Sequence, residues 1–238
     1  MRKNKKKPEV PTVAAVVPAA GNATRMKGLD KLFLKLDDIP IIIHTLRVLN
    51  AHPQISEIIL PTREDCIKPL WQLCQTFQIS KVSQIIRGGK TRAESVLFGL
   101  REVRKDCKLV AIHDAARPFV TEKVISDAIE AAQKYSAAAP AVPIVDTVKE
   151  QSGGIVLKTL ERDCLAAIQT PQVFDKELIL SALSYTQQEN IEITDDCSAV
   201  EAVGMRVVLT MGDPFNRKIT TPEDLVIARA ILEYRRNG

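Results

Sequence analysis

The sequence predicts an α/β protein: a doubly wound, mostly parallel sheet with a protruding β-hairpin arm. Three observations predict it. Short apolar runs alternate along the chain with amphipathic stretches whose apolar residues recur every three or four positions. The runs carry few polar residues, as strands buried between two helical layers require. One segment, residues 144–174, breaks the alternation around a Gly153-Gly154 turn signal. Repeated strand–helix alternation implies parallel strands joined by right-handed crossovers.

Taken in order, the first strand is the run at 13–17, which stops at Pro18. A helix over 40–50 follows, with Ile41, Ile42, Leu46, Val48 and Leu49 apolar and Arg47 outward. The run at 58–60 is the next strand. Residues 65–77 then place Ile67, Leu70, Trp71, Cys74 and Phe77 at helical spacing. After a strand at 82–86, Thr91-Arg92-Ala93-Glu94 reads as a capping box opening a helix through 95–103. A strand at 109–112 precedes a helix over 122–134 capped by Thr121, and a strand at 138–142 follows. Segments 146–149 and 155–159 alternate like strands about the glycine pair, so residues 144–172 read as an arm reaching a second subunit. The last strand is 207–211. Thr221-Pro222-Glu223-Asp224 combines a cap, proline at the first helical position and two acids, and opens a helix running nearly to the C-terminus.

The 238 residues suit one large α/β domain, taken as 11–238 behind a basic tail at 1–10. The net charge of +4 comes from that tail: without Arg2, Lys3, Lys5, Lys6 and Lys7, 28 basic residues face 29 acidic ones. A nearly neutral body argues against nucleic-acid binding, and the tail reads as a solvated extension. No apolar run approaches a membrane span, and the N-terminal stretch lacks the apolar segment of a secretory signal, so the expectation is a cytoplasmic protein without membrane partners. The five cysteines include no C-x-x-C pair and the three histidines no H-E-x-x-H, so neither a disulfide framework nor a transition-metal site is predicted.

In doubly wound sheets ligands sit beyond the carboxyl ends of the strands. The loops there are 18–31, Gly88-Gly89-Lys90-Thr91-Arg92 and Asp114-Ala115-Ala116-Arg117-Pro118. The first carries Pro18, Ala19, Ala20 and Gly21, then Arg25, Lys27 and Lys31. Small side chains let backbone N–H groups approach a ligand, and cations favour phosphate. Met26 stands where a P-loop needs glycine, and no G-x-G-x-x-G is present. From its residues alone the loop reads either as a phosphate site or as an ordinary strand-to-helix turn. Asp114 is placed for a ribose hydroxyl or for Mg²⁺ held with phosphates; an Asp114–Arg117 ion pair that stiffens the turn is the alternative. His113 reads as a packed, hydrogen-bonded histidine. Asp195-Asp196 after Thr194 reads as a helix start rather than a metal site. Arg162, Thr170, Asp146, Thr147, Lys149 and Lys218 each read singly as a surface residue; together their Arg, Thr and Lys are the residue types that bind a phosphomonoester.

Eight segments in order carry a resemblance: PAAGNATRM, Lys31 in DKLFL, GGKTRAESV, HDAARPF, PIVDTVK, TLERDCLAAIQTPQVF, TDDCSAVEAVG and NRKITTPEDL. The chain resembles the 2-C-methyl-D-erythritol 4-phosphate cytidylyltransferases. The resemblance implies a Rossmann-like nucleotidyltransferase fold, CTP as substrate, Mg²⁺ or another divalent cation, and a homodimer formed through the arm. It also implies that 18–21 and Arg25 wrap the triphosphate, with Lys31 beside the α-phosphate. Gly88, Gly89 and Ser95 would meet the cytosine, and Asp114 and Ala115 the ribose and metal region. Thr147, Arg162 and Thr170, taken as arm residues, would hold the sugar phosphate, serving the partner subunit's site, with Lys218 near the reacting phosphates. One position departs: Ala23 stands where the family carries its second glycine. Two other functions fit the same motifs, transfer to ribitol 5-phosphate and non-catalytic nucleotide binding.

Overall fold

A computed structural model of the chain describes residues 12–21 and 33–237. The elements are β1 (Val13–Val16), β2 (Lys35–Leu36), β3 (Ile39–Pro40), α1 (Ile41–Ala51), β4 (Ile55–Thr62), α2 (Glu64–Thr76), β5 (Val82–Arg87), α3 (Arg92–Arg101), β6 (Leu109–Ile112), α4 (Glu122–Tyr135) and β7 (Ala137–Pro143). They continue with β8 (Lys149–Ser152), β9 (Ile155–Thr159), β10 (Ala166–Ile168), β11 (Gln172–Asp175), α5 (Lys176–Gln188), α6 (Asp196–Ala202), β12 (Val208–Met211) and α7 (Pro222–Asn237).

The central sheet runs β5–β4–β1–β6–β11–β7, with β10 and β12 also paired to β7. Strands β5, β4, β1 and β6 are mutually parallel, and β12 is parallel to β7. Strand order reverses at β1, which has β4 on one side and β6 on the other, the switch point where such sheets open a crevice. Side chains alternate across β1. Val13 and Ala15 join the cluster under α1, α2 and α4, while Ala14 and Val16 join the one under α3, α5 and α6. All four are fully buried, which is why this strand reads as an unbroken apolar run. A third cluster joins Leu36, Ile41 and Phe119 to Ile219, Ala228 and Ile231, docking α7 beside the small β2–β3 hairpin.

Two expectations change. Strand β11 lies inside the sheet and is antiparallel to both β6 and β7. Its short polar-flanked sequence hides it, because Gln172 and Asp175 are used for tying and capping rather than packing. The protruding hairpin is β8–β9 alone, shorter than 144–172, because the returning chain pairs Ala166–Ile168 with β7. Its turn places Gly153 and Gly154 at φ 56° and 83°, a conformation that favours glycine.

The caps follow the sequence with one adjustment. Thr91 accepts the Glu94 N–H as expected, but the Glu94 carboxylate turns to the Lys90 N–H at 2.6 Å, so the box does not close on Thr91. Thr121 accepts the Val124 N–H. At α7 the Asp224 carboxylate accepts from the N–H groups of Thr220 and Thr221, at 2.8 and 2.9 Å. No helix among the described residues is long and apolar enough to cross a membrane.

Candidate active site

Three loops leave the carboxyl ends of β1, β5 and β6 and wall one cleft of about 280 Å³. Pro18, Ala19, Ala20 and Gly21 form its first wall. Ala19 continues the parallel pairing past β1, its N–H donating to Pro61 O at 2.7 Å. Gly89, Lys90, Thr91, Arg92 and Ser95 form the second wall, and Asp114, Ala115, Ala116 and Lys218 close it. Gly88 lines an adjoining hollow that shares Ala20, Gly89 and Lys90 with the cleft.

Close approach explains Gly88. A Cβ there would stand 2.7 Å from Ala20 Cβ and 2.8 Å from Ser95 Oγ. Ser95 is buried and ties the same loop: its hydroxyl accepts from the Gly89 N–H at 3.0 Å and donates to Thr91 O at 2.9 Å.

Charge concentrates at Asp114, which the sequence places at the end of a buried strand. Arg92 Nε meets its Oδ1 at 3.3 Å, and Lys218 Nζ and Arg117 Nε meet its Oδ2 at 3.0 and 3.4 Å. Burial pushes the carboxyl up, but Arg92, Lys218 and Arg117 outweigh it and hold it well below the usual carboxylate range. The Asp114–Arg117 ion pair anticipated from the sequence is therefore present, as one part of a larger cluster. Lys218 arrives from far along the chain because its loop is pinned. Asn216 Nδ2 donates to Thr170 O and Gln169 Oε1, Arg117 Nη1 donates to Asn216 O, and Ile219 N–H donates to Ala116 O.

Behind the cleft the Thr170 hydroxyl accepts from the Asp114 N–H at 3.1 Å and donates to His113 Nδ1, while His113 Nε2–H donates to Arg117 O. Burial holds His113 down at about 4, so the ring is neutral, the packed histidine read from the sequence. Thr170 is thus buried in the body, in the short link between β10 and β11, not on the arm as expected. Thr147 and Arg162 are exposed beside the arm and do not line this cleft. Arg162 Nη1 donates to Val145 O at 2.9 Å, beside a separate shallow hollow. Ala23, Arg25 and Lys31 lie outside the described residues.

Arg92, Gln172 and Asp196 are contributors that the sequence reading did not assign. Arg92 sat in plain view in GGKTRAESV, as a cation in the first turn after a glycine loop. Gln172 gave no signal and Asp196 only that of a helix start, because their role here is contact with segments distant in the chain. Asp114 is the one acid among the described residues lining the cleft, and no group of three or more His, Cys, Asp or Glu side chains among them could enclose a metal. That donor set suits Mg²⁺ held by one carboxylate and completed by substrate phosphates, not an all-protein cage.

Comparison with known proteins agrees with this architecture. The family described as 2-C-methyl-D-erythritol 4-phosphate cytidylyltransferase matches residues 13–234. The enzyme of that name from Halalkalibacterium halodurans is 44% identical over 220 residues, covering 92% of this chain and 96% of its own. That from Bacillus cereus is 44% identical over 222 residues, covering 93% and 98%. Among solved structures, 4-diphosphocytidyl-2C-methyl-D-erythritol synthase from Anaerococcus prevotii superposes with a TM-score of 0.84 at 30% identity, covering 94% of this chain and 97% of its own. The Thermus thermophilus 2-C-methyl-D-erythritol 4-phosphate cytidylyltransferase gives 0.77 at 30% identity, covering 92% and 98%. With its Rossmann-like nucleotidyltransferase sheet and matched almost end to end, the chain belongs to the 2-C-methyl-D-erythritol 4-phosphate cytidylyltransferase family.

Proposed function

We propose that the cleft at the carboxyl ends of β1, β5 and β6 is where this cytidylyltransferase moves CMP from CTP onto 2-C-methyl-D-erythritol 4-phosphate. The observation that carries the site is the convergence of Arg92, Arg117 and Lys218 on Asp114 beside small-residue walls. A phosphate oxygen of the acceptor attacks the α-phosphorus of CTP in line, the bond to the β-phosphate oxygen breaks, and pyrophosphate leaves with that electron pair. A phosphate monoester is already an ionised nucleophile, so no strong general base is needed. Catalysis is then positioning and charge stabilisation.

In this reading residues 18–21 and 88–89 bring backbone close to the nucleotide. Arg92, Lys218, and Arg25 and Lys31 from the segment outside the described residues offset charge gathering at the α-phosphorus. Asp114 orients Lys218 and Arg92 and would supply the protein ligand to Mg²⁺. When bound, that ion neutralises triphosphate charge as a Lewis acid. Thr147 and Arg162 hold the acceptor phosphate in the partner's site within a homodimer built through the arm. Thr170 supports the site from behind through Asp114 and His113.

Pyrophosphate release measured with CTP and each of two polyol phosphates tests the acceptor. Turnover with methylerythritol phosphate is expected, and a preference for ribitol 5-phosphate would overturn the assignment. CTP binding with no release for either acceptor would favour a nucleotide sensor. None of the relatives reported above carries ribitol phosphate in its name.

A further inference from the structure

Arg92 is shared between two carboxylates. Its Nε meets Asp114, while its Nη2 donates to Asp196 Oδ2 at 2.7 Å, the shorter of the two contacts. Asp196 is fully buried and lines no part of the cleft. As the first residue of α6 it is not needed to start that helix. Asp195 is the cap, accepting from the Ser198 N–H, and Ser198 Oγ accepts from the Asp195 N–H in return. Asp196 Oδ1 has no hydrogen-bond partner, a cost that a helix start alone does not explain.

The aspartate is itself held. Gln172 Oε1 accepts from the N–H groups of Asp196 and Cys197 at 3.1 and 3.2 Å, and Gln172 Nε2 donates to Asp195 Oδ2 at 2.7 Å. Gln172 pairs with Ile112 in the sheet, two residues before Asp114. One glutamine therefore registers the start of α6 against the strand that delivers the catalytic-site carboxylate.

We infer that Asp196 is a positioning residue: it anchors Arg92 from behind so that the guanidinium stays in the cleft wall when nucleotide phosphates or a cation draw Asp114 to new partners. The inference rests on the cytidylyl-transfer reading above. An arginine fixed in advance loses less side-chain freedom when an anion arrives. Without the charge on Asp196, Asp114 is the carboxylate left to Arg92, and the guanidinium follows Asp114 instead of the nucleotide.

Four proteins test this: wild type, D196N, R92Q and the D196N/R92Q pair, each followed by pyrophosphate release and thermal unfolding. D196N is expected to raise the KM for CTP about 10-fold, the scale for losing a group that orients a ligand-binding side chain. The KM for the acceptor should stay within about twofold, as for a site without shared partners. In the R92Q background D196N should add no further rise. An unchanged CTP KM in D196N, or an equal added rise on top of R92Q, overturns the inference. Should the single variant not fold, the pair decides, because it leaves no buried charge without its partner. A CTP KM matching that of R92Q supports the anchor, and a further rise overturns it. A wild-type protein that releases no pyrophosphate from CTP and the polyol phosphate overturns the proposed function instead. The anchor is then read from CTP affinity by calorimetry on the same four proteins.

Discussion

At the residue scale, two effects oppose one another at Asp114. Burial favours the neutral acid and three neighbouring cations favour the anion, and the cations win. In the proposed function, that surplus positive charge faces the CTP triphosphate. Lys218→Ala, and Lys31→Ala from the undescribed segment, should each lower turnover by roughly 10²-fold or more in a pyrophosphate-release assay, the scale for losing a transition-state contact. His113 makes a prediction of a different kind. Burial lowers its folded value from 6.5 to about 4, so the unfolded chain takes up the proton first as pH falls. Stability is therefore complete above pH 6.5 and falls between 6.5 and about 4, by about 3 kcal/mol at most. Thermal unfolding across that range should show the loss, and His113→Gln should flatten it. Arg92 and Lys218 could be picked out of the sequence as cations, but their meeting at one carboxylate could not. They stand 126 positions apart, and only the pinned loop at Asn216 brings them together.

At the element scale, the site depends on how tightly the β5–α3 loop approaches the β1 loop. Gly88→Ala would press a methyl group against Ala20 and Ser95. We expect it to raise the KM for CTP by about 10-fold or more, with overpacking of about 1–3 kcal/mol, read from kinetics beside a denaturant curve. Unchanged CTP kinetics would mean that the loop yields freely. The helices α1, α2, α3, α4 and α7 and the parallel strands were legible because their periodicity survives burial, whereas α5 (Lys176–Gln188) went unread. Strand β11 was not legible. Only Val173 and Phe174 pack into the clusters, while Gln172 ties α6 and Asp175 caps α5 through the Glu177 and Leu178 N–H groups. A strand used for connection has no apolar signature.

At the scale of the whole molecule, the β8–β9 hairpin leaves Ile155, Val156 and Leu157 exposed, at 70, 57 and 59%. Three consecutive apolar residues on a two-stranded ribbon are poorly stabilised without a covering surface. This agrees with the proposed homodimer. Replacing all three with serine should reduce the mass measured by light scattering from dimer to monomer and cut activity together with it. A monomeric wild type of full activity would remove the partner's contribution from the scheme.

The sequence by itself determined the layered α/β architecture, the three loops at the sheet's carboxyl edge and, through ordered motifs, the family. These are properties of local pattern and of spacing along the chain. Only the tertiary structure decided that Thr170 supports the cleft from the body rather than the arm. It also decided that Lys218, Arg92 and Arg117 share Asp114, and that Asp196 stands behind Arg92. The physical reason is the same in each case. A buried polar group is defined by its partners, and here those partners come from strands and helices far apart in sequence that meet only once the sheet has formed.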